Sequence, residues 1–408
     1  MRWMHSLRLY PTLAQERALG HALHLTRNLY NDALDQRKYE YRAHGRAVTS
    51  SMQGKELTSL RASSPSDAGI YRELQEATLH RLDNAFRAFF SRCKKGEPPG
   101  FPRFKNDARW NQLEYPHGDR AVKLVDGAQA KMRLPGIGFV RLRKGREVPS
   151  NYGRVFITRK AGRWYATFEC KRKIAPMAAS GREIGIDAGI TAVLATSNGD
   201  LIENPRHANT HRARVESAAR SLDAATEKDA RGHVLNRRDP HRRAKARALA
   251  RAKEREANAR RDFLHKVSSK LVRENDLIAM EKLGLRNMTR SAKGTADSPG
   301  SNVAAKAGLN RAMLDTGFGM LRRMIAEKAE WAARAIAVVD PKYTSQMCFA
   351  CKHVAANSRD GTRFACVACG HSDHADVNAA RNILAKAQWA PQSVLSSGDA
   401  GLTLEDVA

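Results

Sequence analysis

A mostly apolar run over residues 3–10 stops at Pro11 and reads as an opening strand. The period then changes to that of a helix. Leu19, Leu23, Leu29, Tyr30 and Leu34 recur at roughly helical spacing behind Thr12. Thr12 is placed to cap that helix, and Gln15, three residues on, completes a capping box. Further helical patterns cover residues 53–62 and 71–93. In the second, Leu74, Leu79, Leu82, Ala85, Phe86, Phe89 and Phe90 form one broad apolar stripe, expected to lie in a core. The polar residues off the stripe, Gln75, Thr78, His80, Arg81, Asn84 and Arg87, suit either a DNA groove or water.

Three prolines and two glycines in Gly96-Glu-Pro-Pro-Gly-Phe-Pro-Arg-Phe-Lys105 end the helical region. From there to about Lys173 the pattern is β. Short strands at 122–125, 131–134, 139–143, 155–158 and 164–168, separated by Gly-rich turns, suggest a small barrel with many outward Lys and Arg. Two apolar strands over 183–196 flank a turn bearing Asp187, and Asn198-Gly-Asp reads as a hairpin turn before Leu201. An Ala/Arg/Lys stretch over 207–272, broken at Asp239-Pro240, reads as two basic helices in a hairpin. Residues 277–281 form a strand ending on Glu281. The small-residue segment 289–308 has no period and is expected as a mobile loop that gates the site beside Glu281. A helix over 315–337 and a strand over 335–339 complete the pattern.

Charge narrows the class. Lys and Arg number 71 against 42 Asp and Glu, a net charge of +29, so polyanions are the natural partners. The length of 408 residues suggests two to four domains, and 42% hydrophobic content suffices for real cores. No apolar run is long enough to span a membrane, and the first residues lack the apolar core of a signal peptide. Six cysteines, four of them in CxxC pairs, fit a reducing cytosol rather than a disulfide framework. The expected location is therefore cytoplasmic. Cys93 and Cys170 read as packed side chains.

The paired cysteines carry the first chemistry. Cys348-Phe-Ala-Cys351 and Cys366-Val-Ala-Cys369 are separated by fourteen residues, a spacing that places four thiolates tetrahedrally round one Zn²⁺. His371 and His374 stand nearby, but four thiolates already close such a site.

Three acids carry the second. Asp187 lies in an apolar strand, Glu281 ends another, and Asp376 opens a helix. Carboxylates brought together raise one another's pKa, and divalent cations remove that penalty. With two Mg²⁺ ions such a cluster activates water at a phosphodiester. Strand-Asp, strand-Glu and helix-Asp, in that order, is the layout of an RNase H-like nuclease core. Asp373 competes with Asp376 for the third place, and the Asp-x-Asn-Ala-Ala register favours Asp376.

These segments together resemble a known family. Gly100-Phe-Pro-Arg-Phe-Lys105, Gly185-Ile-Asp187-Ala-Gly, Asp262-Phe-Leu-His-Lys266, Ile278-Ala-Met-Glu281, the CxxC pairs and Asp376-Val-Asn-Ala-Ala-Arg-Asn382 are similar, in order, to the transposon-encoded TnpB proteins. The likeness runs from Tyr10 to about Ala385. One departure is Asp373-His-Ala-Asp376, which lacks the basic residue the family commonly has before the last acid.

The resemblance implies a multidomain α+β protein that is an RNA-guided, Mg²⁺-dependent DNA endonuclease. By position, Asp187, Glu281 and Asp376 become a RuvC triad holding Mg²⁺, and Cys348, Cys351, Cys366 and Cys369 the zinc ligands. The implied division is a first wedge strand over 1–11, a helical recognition domain over 12–105 and the wedge barrel over 106–175. A RuvC domain with the basic hairpin follows over 176–342, then a zinc ribbon over 343–371, the RuvC C-terminal helix over 372–388 and a flexible tail over 389–408. The implied partners are a guide RNA and a double-stranded DNA target, with a monomer on the RNA favoured. The competing readings are an RNA-guided repressor that binds without cutting, a small type V CRISPR effector, and an RNA chaperone. The third explains charge and zinc but not the ordered acids.

Overall fold

The computed structural model describes residues 2–125, 129–143, 149–171, 176–295 and 298–389. From residue 390 on, the expected tail lies outside the described residues. The chain divides into two units, Met1–Lys173 and Ile174–Ala408. Among the described residues no helix is long and apolar enough to cross a membrane.

In the first unit, β1 (Arg2–Tyr10) leads through Thr12 into α1 (Leu13–His44). The capping box forms: Gln15 N donates to the Thr12 hydroxyl at 3.3 Å, and Thr12 N donates to the Gln15 side chain at 3.0 Å. The helices α2 (Ser50–Ser63), α3 (Pro65–Ala68) and α4 (Arg72–Lys94) follow. Then come β2 (Gln112–Tyr115), α5 (Gly118–Ala121), β3 (Lys123–Val125), β4 (Lys131–Leu134), β5 (Gly138–Leu142), β6 (Tyr152–Lys160) and β7 (Arg163–Lys171). The strands make one seven-stranded antiparallel sheet in the order β2-β6-β7-β1-β5-β4-β3. The chain's first strand thus lies inside a sheet whose other members come a hundred residues later. Alternate residues of β7, Trp164, Ala166, Phe168 and Cys170, are buried with Leu19, Leu23, Tyr30 and Leu34 of α1 in a single core. The strand β2 had no counterpart among the expected strands.

The stripe on α4 is core only over its first half. Leu74, Leu79 and Leu82 are buried, but Phe90 is 55% exposed. Phe86 and Phe89 instead meet Phe101 of the proline-rich loop, ring centroids 5.6 and 5.2 Å away. Two residues assigned to the polar face are buried. Gln75 is taken up by Arg61 and Asp67, and the Thr78 hydroxyl donates to Leu74 O at 2.7 Å.

In the second unit, β8 (Glu183–Asp187), β9 (Ala192–Thr196) and β10 (Leu201–Glu203) form an antiparallel meander. The basic stretch folds as α6 (His207–Ala224) packed on α7 (Pro240–Glu274). Asp239 caps α7 by accepting Arg242 N at 2.6 Å, and Pro240 takes the first turn, where its missing N–H costs nothing. β11 (Leu277–Glu281) pairs parallel to β8. After α8 (Leu285–Met288), α9 (Val303–Thr316) and α10 (Phe318–Ala332), β12 (Ala335–Val339) pairs parallel to β11. The sheet order is β10-β9-β8-β11-β12. A small sheet of β13 (Arg359–Asp360), β14 (Arg363–Ala365) and β15 (Ser372–His374) follows, and α11 (Ala375–Trp389) returns to the large sheet.

Two expectations change here. α9 begins at Val303, inside the segment 289–308 expected to be irregular. The helix expected over 315–337 is two helices, because Gly317 takes the left-handed conformation at φ +71. A Cβ there would sit 3.0 Å from Leu264 of α7, so glycine also lets the break lie against that helix. α10 then stops at Ala332, leaving room for β12.

Candidate active site and metal centre

Strand parity places the acids. Ile184 and Ile186 of β8, with Ile278 and Met280 of β11, point into the core formed with α7 and α10. Their alternates, Gly185 and Asp187 on β8 and Ala279 and Glu281 on β11, therefore take the opposite face, where α11 packs. Met280 pairs with Ile186, so Glu281 and Asp187 stand level, one step further along parallel strands. Asp376 lies in the first turn of α11. The small residues have a purpose. A Cβ on Gly185 would fall 2.1 Å from Ala380 O and 2.9 Å from Leu384 Cβ, so α11 can lie this close only over glycine.

Asp187 feels the other two acids. Burial first, then the charges of Glu281 and Asp376, push the Asp187 carboxyl up to about 7, against the opposing pull of Arg359. Burial raises Glu281 as well, while the Thr344 hydroxyl that donates to it pulls the other way. Asp376 accepts Arg359 Nη2 at 2.7 Å. Asp373 stands apart: Arg381 pairs with it at 2.5 Å, and it accepts His374 N at 2.8 Å. His374 Nδ1 in turn faces Asp376 N at 3.3 Å, at the start of α11.

Several residues here escaped the sequence reading. Asn378 accepts Phe349 N at 2.9 Å and donates to Met347 O at 2.8 Å, while Asn382 donates to Thr344 O at 3.0 Å and to Met347 O at 2.6 Å. Both are fully buried. They bind the approach to the first cysteine knuckle onto α11, and Thr344 carries that hold to Glu281. A signal existed: two asparagines four apart share a helix face. Arg359, on a strand of the small sheet, had no local signal.

The four cysteines converge, with ligand atoms all within 4.8 Å of one another. Sulfurs about 2.3 Å from one tetrahedral zinc lie about 3.8 Å apart. Here Cys348 and Cys369 are 3.8 Å apart, and Cys351 and Cys366 are 3.5 Å apart. The Cys369 N–H, with other donors, draws the Cys366 thiol down to about 6, whereas the Cys348 and Cys369 thiols beside it are raised, so the four protons leave unequally. The donor set fits zinc. Among the described residues this is the group of metal-binding side chains that closes to such distances.

Three family models match stretches of the chain: a helix-turn-helix domain of IS605 OrfB over residues 1–46, a probable transposase of the same type over 167–292, and the Cas12f1-like TNB domain over 318–383. The first covers β1 and α1. The chain is 32% identical to the putative RNA-guided DNA endonuclease InsQ of Escherichia coli K12 over 326 residues, 79% of this chain and 75% of that protein. It is 31% identical to a putative RNA-guided DNA endonuclease of Streptomyces pristinaespiralis over 392 residues, 93% of this chain and 87% of that protein. A shorter likeness, 45% over 64 residues, is to the CRISPR-associated endodeoxyribonuclease Cas12f1 of Sulfoacidibacillus thermotolerans. A solved Cas12f1–sgRNA–target DNA complex shares the fold, with a TM-score of 0.57 at 13% identity over 94% of this chain and 98% of that one.

Proposed function

The chain belongs to the transposon-encoded TnpB family, and on that premise we propose that it cuts DNA chosen by a guide RNA. The observation that carries the reading is the convergence of Asp187, Glu281 and Asp376 from two parallel strand ends and one helix start, with Glu281 and Asp376 near enough to add their charges to the burial that raises Asp187. Mg²⁺, when bound by these three carboxylates, would supply the activated water and the stabilisation of the leaving oxygen. Glu281 is fixed through Thr344, and Asp376 is kept in place by Arg359. That arginine also brings a positive charge to the place a phosphodiester would occupy. Zn²⁺ on Cys348, Cys351, Cys366 and Cys369 would be structural.

The remaining organisation follows the same reading. The seven-stranded sheet with β1 inside it serves as the wedge barrel, and the α1–α4 region as the recognition domain. The β8–β12 sheet with α11 is the RuvC domain, and the segment 343–371 is the zinc ribbon inserted before the last acid. The basic hairpin of α6 and α7 holds guide RNA and heteroduplex, while base pairing reads the target and the protein reads a short flanking motif. One protein chain per guide RNA is the favoured assembly.

Cleavage and gel-shift assays with guide RNA, matched DNA and Mg²⁺ test this. Asp187→Ala and Asp376→Ala should abolish cutting and leave binding nearly intact, whereas Asp373→Ala should still cut. A parent protein that binds matched DNA without cutting would make it a repressor. An inactive Asp373→Ala beside an active Asp376→Ala would move the third acid.

A further inference from the structure

Among the described residues, the non-glycine positions in the left-handed region are Ala161, Arg206, Asn302, Ala333, Tyr343 and Lys352. Five have local reasons. Ala161 turns the β6–β7 hairpin, Arg206, Asn302 and Ala333 cap helices, and Lys352 closes the first cysteine knuckle. Tyr343, at φ +65, is the bulky aromatic of the set and caps nothing of that kind. A side chain of this size is rarely held there, and such strain persists only where the surroundings over-determine it.

The surroundings do so. Thr344 N donates to Pro341 O at 3.3 Å, and Tyr343 O accepts Gln346 N at 3.1 Å and Met347 N at 2.9 Å. Lys386 of α11 reaches Asp340 O and Lys342 O, and Asn382 reaches Thr344 O. The next residue, Thr344, donates to Glu281. The backbone on both sides of Tyr343 is thus fastened to α11 and to the acid at the end of β11. Tyr343 is left 51% exposed, with Lys342 Nζ 5.1 Å from its ring centroid. Phe349, on the neighbouring knuckle, differs: it is 37% exposed, and both Lys352 and Arg381 lie over it.

An exposed ring on a fastened backbone, beside an ammonium and one residue from the group that holds Glu281, matches a nucleotide: base on ring, phosphate on lysine. We propose that Tyr343, with Lys342, is a stacking site for a base of the strand being cut, next to the scissile phosphate. The inference rests on the endonuclease reading above. Tyr343 acts as a positioning residue, fixing the nucleotide while the phosphate lies at the three acids. Stacking tolerates any base, which suits an enzyme whose sequence choice is left to base pairing.

The test uses the full chain with guide RNA and matched DNA, after the cut position has been mapped on the parent. Tyr343→Asn keeps a residue that accepts the left-handed backbone but removes the ring. It should cut about tenfold more slowly, with target affinity unchanged and melting temperature not lowered. Tyr343→Phe should cut at the parental rate. Substrates with an abasic nucleotide on one side of the cut, each side in turn, should slow the parent to the rate of Tyr343→Asn on one of them and leave that variant unaffected. Parental cutting by Tyr343→Asn, or abasic substrates that slow both proteins equally, would overturn the site. If the parent cuts no matched DNA, the endonuclease reading falls, and a 2-aminopurine single strand decides the stacking site by itself. Quenching by the parent and Tyr343→Phe but not by Tyr343→Asn supports it, and equal emission with all three overturns it.

Discussion

Behind the four cysteines the buried cluster is Cys348, Cys366, Phe364 and Ala375, two of which are cysteines of the candidate site itself. Behind the three carboxylates stand the apolar faces of β8 and β11, packed on α7 and α10 on one side and α11 on the other. The difference is in what holds each site together. Phe364 and Ala375 bury too little apolar surface to order a three-stranded sheet with strands of two or three residues. If the proposed zinc occupies it, the cysteine centre is made by its metal. The acid centre is made by the fold, which buries Asp187 and sets two more carboxylates beside it; burial first, and their charges second, raise its carboxyl.

The largest test removes zinc. Structural zinc in a site of this size contributes about 10–16 kcal/mol, far more than the local core. Metal analysis should find one zinc per chain, lost in Cys366→Ser. The segment 343–374 should then become protease-sensitive while the β8–β12 sheet stays folded. Cleavage should fall as well, because Asn378, Asn382 and Thr344 join the knuckle to Glu281. Unchanged proteolysis without zinc would mean that the ribbon is also made by the fold, and the comparison would fail.

The acid centre should show the opposite behaviour, a site whose groups work against stability. Asp187 holds its proton up to about 7 in the folded chain and only to 3.8 when unperturbed. The folded state therefore binds more protons between those limits, and stability falls as pH rises from about 4 to 7. At full size this amounts to about 4 kcal/mol. Thermal unfolding in magnesium-free buffer should show the fall, Asp187→Asn should flatten it, and added Mg²⁺ should restore stability above pH 7. The same slope in Asp187→Asn would remove Asp187 as its source.

A subtler change tests whether packing alone sets the acid geometry. Gly185→Ala puts a methyl 2.1 Å from Ala380 O, so α11 must move. Overpacking of this kind costs about 1–3 kcal/mol. A displacement near 1 Å between Asp376 and Asp187 is enough to slow cutting by about a hundredfold, with all three acids intact and zinc still bound. Parental cleavage in this variant would mean that the helix has slack the structure does not show.

That glycine also shows why the acid centre was legible in the sequence. In Gly185-Ile-Asp187 and Ala279-Met-Glu281 the two-residue period puts a small residue and an acid on one face and an apolar residue on the other. Strand and acid were legible there; that α11 lies close over Gly185 was not. The capping box at Thr12 and Gln15 and the Asp239-Pro240 break were legible for the same reason: their partners are neighbours in sequence. Illegible features depend on distant partners. Periodicity put Phe89 and Phe90 on an apolar face but could not say that the core ends near Leu82. It ran a helix through Gly317, whose break is set by Leu264 on another helix. Arg359 and Thr344 acquire their meaning only when the ribbon folds back on Asp376 and Glu281.

The smallest prediction concerns strain inside the metal-made site. The residue after the second cysteine of each knuckle is left-handed, at φ +71 for Gly370 and φ +64 for Lys352. Each donates its N–H to the first cysteine's carbonyl at 3.0 Å. Glycine occupies that backbone freely, whereas a lysine pays about 1–2 kcal/mol. Lys352→Gly recovers that strain. It gives up the bond from Lys352 Nζ to Phe349 O and adds the greater chain entropy of an unfolded glycine, about 0.5–1 kcal/mol. The net gain should stay under about 1 kcal/mol. In a ribbon ordered by zinc it should appear as slower zinc loss to a chelator, with the melting of the β8–β12 sheet unchanged. Faster zinc loss would show that the Lys352 contact with Phe349 outweighs the strain. A shift in the sheet's melting would show that the two centres are coupled more tightly than the asparagine links require.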